Sequence, residues 1–132
     1  MKQEEAAQTD GSAATDIPGV DMERGIRMTG GSMEVYQEVL DLFCSDVDER
    51  LPILKSVPDA AGLAKFATQI HALKGASGSI GAAEISALAA KLEAASKAGD
   101  LSFIQENLGD FAAQLEELVK GIRNWLNAAE AQ

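Results

Sequence analysis

The sequence predicts an all-α fold, an antiparallel four-helix bundle with a short additional N-terminal helix, and three observations carry that expectation. Leu101, Ile104, Leu108, Phe111, Leu115, Leu118, Ile122 and Trp125 recur at alternating spacings of three and four, the seam of a helix packed nearly antiparallel to its neighbours. Gly81-Ala82 and Gly99-Asp100 separate periodic stretches with helix stop and start signals, and such short connections favour antiparallel neighbours over an isolated coiled coil. The 132 residues are 46% hydrophobic but only 5% aromatic, which suits one domain with an aliphatic helical core.

Each element has its own local signals. Residues 1–16 are polar, small and without periodicity, which reads as a disordered tail or interdomain linker ahead of a bundle over 17–129. From 17 to about 29 a short helix is expected, with Pro18-Gly19 turning the chain, Asp21 as N-cap and Gly30-Gly31 as the stop. Ser32 caps the next helix, which runs to about Val57 with Tyr36, Leu40, Phe43, Val47, Leu51 and Leu54 on one stripe; Pro52 should bend it. A second apolar row, Val35, Val39 and Leu42, widens that stripe to about half the circumference, more than a bundle face requires. The N-terminal helix, through Val20 and Ile26, is the expected cover, and a docked partner is the alternative.

A third helix should start near Asp59, after Pro58, and reach about Ile80; Gly81 ends it. Its apolar residues are Leu63, Phe66, Ile70, Leu73 and Ile80. From 82 to about 98 the next helix turns Ile85, Leu88, Leu92 and Ala95 inward and stops at Gly99, after which Asp100 caps the last. Glu84 and Glu93 read as ordinary surface positions. Cys44, the single cysteine, reads as a buried small hydrophobe that makes no intramolecular disulfide.

Chemistry concentrates in the run His71-Ala72-Leu73-Lys74-Gly75-Ala76-Ser77-Gly78-Ser79-Ile80-Gly81, which holds the only histidine. At about 100° per residue, His71, Lys74, Gly75 and Gly78 share one helix face, roughly opposite the apolar side, so the imidazole should point to solvent. Each glycine costs a helix interior about 1 kcal/mol relative to alanine. Their use here is to leave the imidazole unshielded, so that a second macromolecule can bring a bulky reacting centre against the helix. Lys74 sets positive charge beside that path. This arrangement suits attack by a neutral imidazole on a phosphoryl group, where positioning and charge stabilisation are the main demands.

The run His71-Ala72-Leu73-Lys74-Gly75, with the small residues and Gly81-Ala82 that follow, resembles the signature of histidine phosphotransfer domains. Ile17-Pro18-Gly19-Val20-Asp21, Gly30-Gly31 and Ala98-Gly99-Asp100-Leu101 resemble the family's punctuation, so the likeness covers about 17 to 128. It implies a phosphorelay carrier in which His71 is the phospho-acceptor, Lys74 faces the phosphate, and Gly75 opens the site, with Gly78 divided between access and helix fraying. It implies response-regulator receiver domains as partners, which bring the aspartate and the magnesium ion, and a hybrid sensor histidine kinase as a parent chain or a free-standing carrier. The phospho-accepting N-terminal domain of chemotaxis kinases shares the His-x-x-Lys-Gly pattern and is the nearest alternative. A noncatalytic helical interaction module, supported by the broad apolar stripe, is the alternative from another class.

Composition excludes several classes. A formal net charge of −10 opposes nucleic acid and anionic membranes, which reward clustered cations. With one histidine and no glycine-rich phosphate loop, neither a multi-histidine metal site nor an ATP-binding kinase domain is expected, and no cofactor bound by this chain. Cys44 and His71 belong to opposite kinds of face and make a poor nucleophile pair. No apolar stretch reaches the roughly 20 residues of a spanning helix, so a cytoplasmic, monomeric domain is the expectation.

Overall fold

A computed structural model describes residues 16–130. These form five α-helices, α1 (Met22–Met28), α2 (Met33–Leu54), α3 (Leu63–Ser79), α4 (Ala83–Ala98) and α5 (Leu101–Glu130), with a 3₁₀ turn over Ala60–Gly62 and no strand among the described residues. The expected all-α bundle is therefore present. The tail expected over 1–16 lies outside the described residues except for Asp16.

The local signals place most boundaries. Asp21 Oδ1 accepts from the Arg24 N–H at 3.1 Å and caps α1, and Ser32 Oγ accepts from Val35 N–H at 3.3 Å to open α2. Gly99 closes α4 at φ +73°, a left-handed conformation that costs a glycine little. Asp100 Oδ1 then accepts from Phe103 N–H at 3.1 Å. Two boundaries differ from expectation. Pro52, with no N–H to return to the preceding turn, occupies the last turn of α2, which ends at Leu54 and not near Val57. Asp59 caps the 3₁₀ turn, accepting from Gly62 N–H at 2.9 Å, and α3 starts only at Leu63.

Helix α3 packs most extensively on α4, α4 on α5, and α5 on α2, with a lighter contact between α2 and α3. The core takes Tyr36, Leu40, Phe43, Cys44 and Val47 from α2, Phe66, Ile70 and Leu73 from α3, and Ile85, Ala89 and Leu92 from α4. Along α5 the seam residues from Ile104 to Trp125 are buried, so about 32 Å of helix forms one wall. Leu51, Leu63, Leu88, Val20, Met22, Ile26 and Val39 pack half-buried against this core.

The extra helix α1 clasps the turn between α3 and α4. Asp21 N–H donates to the Gly81 carbonyl at 2.9 Å, and the buried Tyr36 hydroxyl donates to the Ile80 carbonyl at 2.9 Å. A Cβ at Gly25 would collide with the Ile80 carbonyl oxygen and lie 2.6 Å from Tyr36 Cε1. Gly81 at φ +94° backs against the Asp21 carbonyl equally closely. Only glycines allow this approach, and it satisfies carbonyls that the end of α3 would otherwise leave unpaired. The second apolar row of α2 is not what α1 covers, however. Val35 stays 42% exposed and Leu42 67%, because α1 sits across the far end of α3 and its short length leaves most of α2 uncovered.

Candidate functional site

His71 lies mid-α3 with its side chain 66% exposed, on the face opposite the buried Phe66, Ile70 and Leu73. The solvent-facing histidine expected from helix geometry is thus observed. Gly75, one turn on, has open space where a Cβ would be. Gly78 does not face open solvent alone; a Cβ there would touch Ser86 Oγ of α4 at 3.4 Å. The Ser86 hydroxyl donates to the Lys74 carbonyl at 2.9 Å, which ties α4 to the backbone of the histidine helix.

The residue that organises the site is Glu93 of α4. Its Oε2 stands 2.8 Å from His71 Nδ1 and 3.2 Å from Lys97 Nζ, and its Oε1 stands 2.7 Å from Lys74 Nζ. The carboxylate side chain is only 7% exposed. The surface position expected for Glu93 is therefore corrected. Ala87, Ala89, Ala90 and Ala94 surround it in the sequence, and such small side chains let α3 and α4 approach until a glutamate on one helix reaches the face of the other. A signal did exist. Glu93 follows the buried Ala89 by four and precedes the buried Ser96 by three, so it shares their stripe.

The electrostatics follow from that placement. The Lys74 hydrogen bond first, then those of Lys97 and His71, hold the Glu93 carboxyl down to about 2, although its burial works the other way. Glu93 is ionised at any ordinary pH and can only accept. Nδ1 of His71 must therefore carry the proton, which leaves the lone pair of the neutral ring on Nε2. Lys74, expected as a positive charge on the approach path, is held on the carboxylate by this same pair.

A family model described as Hpt domain matches residues 38–125, well over half of the chain. The chain belongs to the Hpt domain family. No curated protein and no solved structure matches it. As an Hpt domain it is a histidine phosphotransfer carrier of a phosphorelay, and receiver domains are the kind of partner with which Hpt domains exchange phosphate. The match starts within α2 and ends within α5, so it includes His71, Lys74 and Glu93 and leaves α1 outside. Among the described residues no helix is long and apolar enough to cross a membrane, and no cluster of three or more His, Cys, Asp or Glu could hold a metal.

Proposed function

We propose that this Hpt domain accepts a phosphoryl group at Nε2 of His71 from a phospho-aspartate of one receiver domain and passes it to another. The single observation that carries the reading is the His71–Glu93 contact, 2.8 Å at Nδ1, on a ring that is otherwise open to solvent. The Nε2 lone pair attacks phosphorus; the N–P bond forms as the acyl O–P bond breaks, and the aspartate leaves as a carboxylate. The ring becomes cationic with its Nδ1 proton still held by Glu93, so the carboxylate stabilises the charge that develops. Return of the phosphoryl reverses each step.

Lys74 has a flexible four-carbon stem with three donors. It moves between the Glu93 carboxylate and a phosphoryl oxygen, and Lys97 remains to balance Glu93. Gly75 keeps the way clear for the receiver. The magnesium ion belongs to the receiver's aspartates, and the phosphoryl comes from another protein or another domain, such as a hybrid sensor kinase. The domain acts as a monomer in the cytoplasm, in keeping with its one buried, unpaired cysteine.

The test is transfer from receiver domains charged with acetyl phosphate. The expected label is acid-labile and base-stable, sits on Nε2 by NMR, and is lost in His71→Gln. Persistence of the label in that variant would overturn the assignment.

A further inference from the structure

Between α1, α3 and α4 lies a cleft of about 280 Å³ whose lining includes Arg24, Lys74, Gly78, Ser86, Ala87 and Ala90. It continues the reactive face, since Gly78 lies seven residues beyond His71 and roughly 10 Å along the same side of α3. Small-molecule pockets usually occupy about 300–1,000 Å³. This one has room for a side chain or two. Its floor is glycine, alanine and serine, and its lining includes two cations and no acidic residue, on a chain whose formal net charge is −10.

The two cations differ. Lys74 is paired with Glu93 at 2.7 Å. Arg24 is exposed and makes no ion pair among the described residues, whereas Arg27, one turn on, pairs with Glu23 at 3.3 Å. The backbone of Arg24 is nonetheless held in place. Its own N–H is fixed by the Asp21 cap, Asp21 N–H is bonded to Gly81, and Gly25 lies flush on the Ile80 carbonyl. The contacts that clamp α1 onto the α3–α4 turn thus fix the backbone from which Arg24, without an ion pair among the described residues, lines the cleft.

We propose that this cleft is a docking contact for the receiver domain, in which Arg24 reads a carboxylate on a loop at the rim of the receiver's acidic, magnesium-holding site. The inference rests on the carrier reading above. Charge complementarity supplies the occupant: magnesium is held mainly by carboxylates, so the partner brings negative charge to a protein that is itself strongly acidic. A local cationic notch beside the histidine offsets that repulsion and sets the register of approach. Helix α1 lies outside the stretch that matches the family model, and on this proposal Arg24 is a contact by which this chain selects among receivers.

The experiment measures kcat/KM for transfer from receiver domains of the same genome, charged with acetyl phosphate, at low and high salt. Arg24→Glu should lower kcat/KM about tenfold at low salt, chiefly through KM, and the deficit should shrink as salt screens the contact. Arg24→Lys should keep most of the wild-type value, and Arg27→Glu should match wild type. An Arg24→Glu value within twofold of wild type at low salt overturns the proposal, as does a loss that salt does not change. Labelling of wild type and His71→Gln with phosphoramidate separates the two readings. If wild type is not labelled at His71 by either donor, the carrier assignment falls and the docking contact with it; if His71 is labelled and Arg24→Glu is indifferent, only the docking contact falls.

Discussion

Nδ1 of His71 and Oε2 of Glu93 stand 2.8 Å apart, across the interface of two helices and 22 positions of sequence. One end of the imidazole is thereby committed, and the other is left as the only reactive nitrogen. Conversion of Glu93 to glutamine preserves shape and removes the obligate acceptor, since an amide can also donate and favour the opposite tautomer. Glu93→Gln should slow transfer roughly tenfold to a hundredfold, the span of a lost charge-assisted hydrogen bond. NMR of the ring nitrogens should show loss of the pure Nδ1–H form. A variant with wild-type rate and tautomer would remove Glu93 from the mechanism.

The same carboxylate makes stability depend on pH. Its folded value of about 2 lies below the ordinary 4.5, so its contribution is fully present above about pH 4.5 and disappears as pH falls toward 2. Melting curves of wild type and Glu93→Gln should differ by a constant amount at neutral pH and converge through that acid window. Parallel curves down to pH 2 would contradict the assignment.

Two glycines should respond in opposite directions. Gly25→Ala meets the Ile80 carbonyl and the Tyr36 ring and should destabilise by about 1–3 kcal/mol, the usual cost of forcing extra volume into a packed contact. Gly75→Ala enters open space in a helix and should stabilise by about 1 kcal/mol. Urea unfolding of both variants checks the pair. Gly75→Leu should remain folded by circular dichroism while slowing transfer, and an unchanged rate would end the access argument.

Tyr36 is the only tyrosine, so ultraviolet titration reports it alone. Burial, aided by the charge of Asp21, pushes its phenol up to about 12, and phenolate absorbance should develop near that pH in the folded protein. Because the folded value lies above the ordinary 10, this group's contribution is intact below pH 10 and lost as pH rises through 12. Titration near pH 10 with native circular dichroism would contradict the buried bond to Ile80.

Cys44 offers a simple check on the core. Its thiol is buried, and burial pushes it up to about 11, so a thiol reagent at pH 8 should modify it only as fast as the protein unfolds. Prompt labelling of the native protein would show that α2 and α5 are not packed as described.

Helix boundaries were legible because their causes are local. Asp21, Ser32, Gly81, Gly99 and Asp100 act within a turn of their own position, and the three-and-four spacing along α5 depends only on helix period. Exposure of His71 followed from the same arithmetic. The early end of α2 and the late start of α3 were less legible, since Pro52 and the Asp59 turn each permit more than one continuation.

The sequence by itself determined an all-α bundle, its caps, its core stripes and a solvent-facing histidine next to glycine. Tertiary structure alone decided that Glu93 closes on His71 and Lys74, that α1 clasps the α3–α4 turn, and that Arg24 shares a cleft with Lys74. The reason is physical: those contacts join residues on different helices, and their distances depend on how deeply small side chains let the helices approach and how far each is rotated. No single helix's period contains that information.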